Sequence, residues 1–166
     1  MTDLSTATAT DVVVRMGELA ASASAGDVLV CIGLGSCIGL ALVCRHGRGC
    51  GLAHIVLPDS GGRDAERPAK FAERAVPALI AALLPYGARP GTLEAILVGG
   101  AQMFSAGAGM DIGARNEAAV RAELQRAGIP VTASATAGSV GRTVRVHVAT
   151  GTVTVRDAGS TEETLR

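Results

Sequence analysis

Aromatic side chains are almost missing from this chain of 166 residues, which has no tryptophan, one tyrosine and two phenylalanines. A core must therefore be built from Ala, Val, Leu and Ile, and the base-stacking platforms of single-strand binders are excluded. Net charge is missing as well, because fifteen Lys and Arg balance fifteen Asp and Glu. No basic stripe is present, so nucleic acid is not an expected partner. The longest apolar stretches, residues 38–44 and 75–84, are too short to cross a bilayer, and no membrane insertion is expected. The N-terminus has Asp3 and no positive segment ahead of an apolar run, so it does not read as a signal peptide. A cytoplasmic location is the default. Cys31, Cys37, Cys44 and Cys50 lack the C-x₂-C pairing of zinc sites and of thiol redox motifs. Three of them read as small core hydrophobes.

Glycine is plentiful, with 22 residues, and apolar residues make up 48% against 18% charged. This is the composition of a folded aliphatic domain with many tight turns. One domain over residues 11–157 is expected, with a mobile tail at 1–10 and a second tail at 158–166. Balanced charge on one small domain makes a monomer the default.

The stretch 32–58 (IGLGSCIGLALVCRHGRGCGLAHIVLP) organises the chain. Residues 33–36 form a sharp turn that delivers Cys37. Residues 38–44 and 50–57 read as two strands around the polar turn 45–49. His46 sits in that turn and is expected to be solvated, whereas His54 lies inside the second strand.

Elsewhere, residues 12–14 could begin an edge strand, 20–26 (AASASAG) read as a small-residue loop, and 28–32 as a buried strand. A helix is expected from near Arg67, with Pro68 in its first turn, a kink at Pro77 and an end at Tyr86-Gly87. Its apolar face would be Phe71, Ala75, Leu79, Ala82 and Leu83. Residues 93–98 read as a strand closing on Gly99-Gly100, which permit close backbone packing. The region 107–113 reads as a glycine-rich loop. A second helix spans about 114–127, with Ala118, Leu124 and Ala127 on one face and Gly128 at its C-terminus. Residues 130–135 form a strand, and 143–148 with 153–156 form a hairpin, from which His147 points outward. The expected fold class is α+β: layered, mostly antiparallel β-sheets with helices packed on one side.

A cysteine after Gly-x-Gly-Ser and a histidine in the neighbouring strand are the minimal parts for nucleophilic attack on an amide or ester. Backbone N–H groups around Gly35 and Ser36 could form an anion nest that favours thiolate and holds an oxyanion. Ser36 reads equally as a turn former and as an oxyanion or substrate contact. An imidazole in an apolar strand is costly without a partner. Arg115 and Asn116 could cap the second helix or line a substrate groove. Gly138, Gly141 and Arg142 shape a loop near the site. Phe104 reads as core or as part of a docking patch.

LGSC (34–37), AHIVLPDSGG (53–62), VGGAQMF (98–104), IGARN (112–116) and AGSVGR (137–142) together resemble the CheD family, and the likeness runs in order from about residue 12 to 155. The resemblance implies a chemoreceptor glutamine deamidase of bacterial and archaeal chemotaxis. It implies a fold similar to that of the cytotoxic necrotizing factor deamidases. It places the nucleophile on Cys37 and its histidine on His54, and needs no metal or organic cofactor. The implied partners are the cytoplasmic domains of methyl-accepting chemoreceptors and the CheC-type phosphatase. Members place a threonine six residues before the cysteine to orient the histidine, and here that position is Cys31. A thiol is a poorer hydrogen-bond partner than a hydroxyl. A backbone carbonyl at that position is expected to align His54 instead. The competing reading is a weakly catalytic or non-catalytic docking module for the phosphatase or the receptors, and a pure docking module has no need of a nucleophile–base pair.

Overall fold

β4 (Ile38–Cys44) is buried at every position, which is why its sequence is a continuous apolar run rather than an alternating one. It lies in the middle of the molecule with cover on both faces. Ile38, Leu40 and Leu42 face one hydrophobic cluster, while Ala41 and Val43 face another.

The computed structural model describes residues 8–64, 66–103 and 111–166. Two five-stranded sheets stack face to face. The first has the order β1 (Thr10–Val13), β3 (Asp27–Leu34), β8 (Arg142–His147), β9 (Thr152–Asp157) and β10 (Glu162–Thr164). The second has the order β2 (Leu19–Ser22), β5 (Cys50–Ile55), β4, β6 (Leu93–Gly99) and β7 (Val131–Thr136). β1 with β3 and β6 with β7 are parallel, and the other pairs are antiparallel. Between the sheets lie Leu29, Cys31, Val144 and Val146 from one and Ala41, Leu52, Ile96 and Val98 from the other. α1 (Ala72–Leu83) and α2 (Ile112–Ala127) cover the outer face of the second sheet with Val76, Leu79, Leu83, Val120 and Leu124. The α+β class with helices on one side is what the sequence implied; each sheet is mixed rather than purely antiparallel.

Four local expectations are corrected. Residues 19–22 are strand, not loop, because β5 supplies a ladder that pairs Leu19 with Ala53 and Ser22 with Cys50. Small residues with weak intrinsic preference take the structure their neighbours impose. α1 begins at Ala72 rather than near Arg67, because Lys70 and Phe71 are held extended against Val56 and Leu57. The helix then runs on through Pro77. Leu124 is on the buried face of α2 and Ala127 packs against the same cluster, as expected, but the other buried residues are Gly113, Asn116 and Val120, and Ala118 is exposed. Residues 158–166 are not a free tail: residues 162–164 pair with β9 as a strand and Leu165 packs against the inter-sheet cluster, while the expected N-terminal tail gives way to β1 at Thr10. The reading of 107–113 falls largely outside the described residues, and that of Phe104 wholly so.

Candidate active site

The β4–β5 ladder ends with Gly39 opposite His54 and Ile38 opposite Ile55. His54 follows the parity of Cys50 and Leu52, so it points toward the first sheet rather than the helices. Cys37 sits just before the ladder, half-buried and packed against the same inter-sheet cluster. Both residues line one cavity of about 650 Å³ at this end of the sandwich. Sequence reasoning paired these two side chains, and the fold brings them to one hollow.

The segment between β1 and β2 wraps His54. Its backbone N–H donates to the Glu18 carbonyl at 2.9 Å, and its own carbonyl accepts from Gly17 at 2.9 Å. Its Nδ1 lies 3.1 Å from the Val14 carbonyl oxygen. A carbonyl only accepts, so Nδ1 carries the proton and Nε2 keeps a free lone pair. A carbonyl does align the ring, as expected, but it belongs to Val14 and not to position 31. Cys31 lies fully buried on β3 opposite Val144, in the inter-sheet core, and burial pushes its thiol far up.

Residues 35–37 have all three carbonyls tied down. Gly35 accepts from Ala101 N–H at 2.9 Å, Cys37 accepts from Gly100 N–H at 2.9 Å, and Ser36 accepts from Asn116 Nδ2 at 2.9 Å. Among the described residues, the N–H groups of Gly35, Ser36 and Cys37 donate to no backbone or side-chain acceptor. Such undonated amides are what an oxyanion needs. The sequence placed the sharp turn at 33–36; β3 persists to Leu34, and the turn itself is 35–37.

The loop after β6 must approach this turn closely. Gly99 has φ 111°, and a Cβ there would run into the Cys37 carbonyl oxygen. Arg142 supports that loop from behind. Only slightly exposed, it donates from Nη1 to the Ala137 and Gly99 carbonyls, at 2.8 and 3.3 Å, and from Nε to Asp157 at 3.1 Å. The AGSVGR stretch therefore does shape a loop beside the site.

Arg115 and Asn116 part company. Asp111, not either of them, caps α2, accepting from Ala114 N–H at 2.9 Å. Arg115 is exposed and does not line the cavity, whereas Asn116 is fully buried beneath the turn at 35–37. Lining residues not foreseen as site residues include Val13, Val14, Met16, Ile32, Arg67 and Met103. Four of its lining residues are exposed apolar side chains: Val13, Met16, Ile32 and Met103.

Burial raises the Cys37 thiol above its ordinary value. Burial also lowers His54, partly offset by the Val14 carbonyl and by Glu18. Burial therefore favours the neutral form of both groups, where the nest had suggested thiolate. The arrangement suits general-base activation at the moment of attack rather than a stored ion pair.

The CheD chemotactic sensory transduction family model matches residues 56–157. The probable chemoreceptor glutamine deamidase CheD of Moorella thermoacetica is 46% identical over 79% of this chain and 81% of its own length. The chemoreceptor glutamine deamidase CheD of Thermotoga maritima is 40% identical over 91% of this chain and 94% of its own. The probable chemoreceptor glutamine deamidase CheD of Symbiobacterium thermophilum is 44% identical over 92% and 95%. Matches of that extent necessarily span Cys37 and His54. A solved structure of a Neisseria meningitidis protein overlaps at TM-score 0.43 and 14% identity, covering 80% of this chain and 62% of that one.

Proposed function

This chain belongs to the CheD family, and we propose that its Cys37 and His54 perform the glutamine deamidation for which its relatives are named. It is accordingly a protein-glutamine glutaminase of chemotaxis. His54 Nε2 takes the proton of Cys37 as the sulfur attacks the side-chain carboxamide carbon of a receptor glutamine. The carbonyl oxygen becomes an oxyanion facing the N–H groups of residues 35–37. The C–N bond breaks, the proton on His54 passes to the leaving nitrogen, and ammonia departs from a thioester. Water, deprotonated by His54, then cleaves the thioester to a glutamate carboxyl group and returns the thiol.

The observation that carries this reading is that one cavity is lined both by a histidine whose Nδ1 is taken by the Val14 carbonyl and by a cysteine on a turn whose carbonyls are all engaged. Ser36 contributes its backbone rather than its hydroxyl, and Cys31 is a packing residue. The substrates are the cytoplasmic domains of chemoreceptors, which would lay an apolar helix face on Val13, Met16, Ile32 and Met103. Docking of a CheC-type phosphatase, action as a monomer in the cytoplasm, and kinship with the cytotoxic necrotizing factor fold belong to the same proposal. Among the described residues no helix is long and apolar enough to cross a membrane.

The test is intact-protein mass spectrometry of a receptor cytoplasmic fragment incubated with this protein and, separately, with Cys37→Ala. Replacement of NH₂ by OH adds about one dalton per glutamine, and that gain should vanish in the variant. No gain across several receptors, with receptor binding intact, would leave a docking module in place of an enzyme.

A further inference from the structure

We infer that Asn116 is a positioning residue that clamps the turn carrying the nucleophile to the strand carrying the base; this rests on the roles given above to Cys37 and His54. The β4–β5 ladder gives out at Ile38 and Ile55. Beyond it, among the described residues, no backbone bond joins residues 36–37 to Val56. Asn116 fills that gap. Its Nδ2 donates one proton to the Ser36 carbonyl and the other to the Val56 carbonyl, both at 2.9 Å. Ser36 immediately precedes Cys37, and Val56 lies two positions past His54. One planar amide with a fixed angle between its two N–H bonds therefore sets the spacing of the two segments that must meet for proton transfer.

Chemistry fixes which way the amide faces. Both neighbours are carbonyl oxygens, so only the NH₂ group can lie against them. Oδ1 is then left buried with no donor among the described residues. A side chain kept only to fill space would not carry such an orphan, since leucine occupies a similar volume without it. The two donors are the function, and the orphan acceptor is their consequence.

The helix is built to deliver this residue. Asp111 caps its start, and Gly113 lets its first turn touch the loop after β6. A Cβ at Gly113 would come within 2.5 and 2.6 Å of the Gly100 and Ala101 carbonyl oxygens. Gly100 and Ala101 are the residues whose N–H groups hold Cys37 and Gly35. The helix start and its Asn116 thus grip the turn from one side while the loop grips it from the other.

The experiment compares the full-length protein with Asn116→Leu and Asn116→Ser. In folded Asn116→Leu, kcat on a receptor fragment should fall about 100-fold while KM stays within about two-fold, the pattern of misplaced reacting groups rather than lost binding. Asn116→Ser, which keeps one donor, should fall in between. Iodoacetamide alkylation of Cys37 followed against pH supplies a readout without receptor. Near neutral pH the Asn116→Leu protein should react about ten-fold more slowly, because His54 is no longer placed to take the thiol proton during attack. A kcat within about three-fold of wild type, or an unchanged alkylation profile, would overturn the clamp. If wild type deamidates no receptor, the functional reading fails, while the alkylation comparison still judges Asn116. If neither variant folds, the wild-type side-chain NH₂ signals of Asn116 decide: they should be slow to exchange and should shift when Cys37 is alkylated, and unmoved signals would count against the role.

Discussion

The β4–β5 hairpin has a cysteine-bearing hollow at each end; burial raises the thiol at both, and the two differ in what surrounds the sulfur. At the open end, Cys37 and His54 line a cavity of about 650 Å³. At the turn end, Cys44 and Cys50 line one of about 430 Å³ together with Arg45, Arg48 and the turn glycines. Both far cysteines are buried, Cys44 lies 3.7 Å from the Thr92 hydroxyl, and burial raises Cys50 to about 11. His46 sits in that turn but is exposed and does not line the hollow. A hollow, a cysteine and nearby positive charge are therefore insufficient. What separates the ends is an imidazole with a fixed tautomer and a turn whose N–H groups are left undonated.

The largest expected effect tests this asymmetry directly. Cys37→Ala should lower deamidation by roughly 10⁴-fold or more, while Cys44→Ala and Cys50→Ala leave kcat within about three-fold, as intact mass of the receptor fragment would reveal. Equal losses from all three would erase the distinction.

Glycine substitutions sharpen it. Gly99→Ala forces a methyl group toward the Cys37 carbonyl at a φ of 111°, and Gly49→Ala is strained in a similar region at 125°. Both should destabilise by about 1–3 kcal/mol in urea melts. Only Gly99→Ala should also reduce kcat in the folded protein, by about 100-fold, because it displaces the nucleophile turn. If Gly49→Ala slows the reaction as much, the two ends are coupled and the contrast dissolves.

The titration behaviour supplies a third test. His54 is held below its ordinary value of 6.5 and Cys37 above 9.0. The acid limb of kcat/KM should accordingly lie below 6.5 and the alkaline limb above 9.0, giving a broad plateau. Linkage has the opposite sign to a stabilising ion pair. An unfolded chain binds the His54 proton more readily, so stability should fall as pH drops from 6.5 toward the depressed folded value. For Cys37 the unfolded chain loses its proton first, so stability should fall again above 9.0. A narrow bell centred on an ordinary histidine would contradict the neutral pair.

The smallest effect concerns Cys31. Because Val14 already fixes the His54 tautomer, Cys31→Thr should change kcat by less than about five-fold. A gain of several hundred-fold would return the orienting role to that position.

Much of the hairpin was legible, and so was the placing of Cys37 and His54 at one end of it, because unbroken apolar runs around a Gly- and Arg-rich turn leave few alternatives. The glycines at 99 and 100 and the basic loop at 137–142 also announced close packing near the site. The carbonyl of Val14 could not be read, since every residue carries a carbonyl and only tertiary placement singles one out. Asn116 was noticed for the right neighbourhood and the wrong task. Its position on α2 suggested a cap or a groove, whereas the cap fell to Asp111 and the side chain went inward. β2 and β10 were missed for a common reason: short polar or small-residue segments become strands only when a partner edge is waiting.

The turn at 35–37 is assembled from parts widely separated along the chain, since its carbonyls are met by Gly100, Ala101 and Asn116. During synthesis Cys37 and His54 leave the ribosome long before these partners. The order of translation therefore delays completion of the turn: Gly100 and Ala101 can hold two of its carbonyls first, and the third waits until α2 has been made and docked. Ribosome-stalled chains ending before and after α2 should differ in the rate at which Cys37 is alkylated, so the act of completing the fold would also be the act of arming the sulfur.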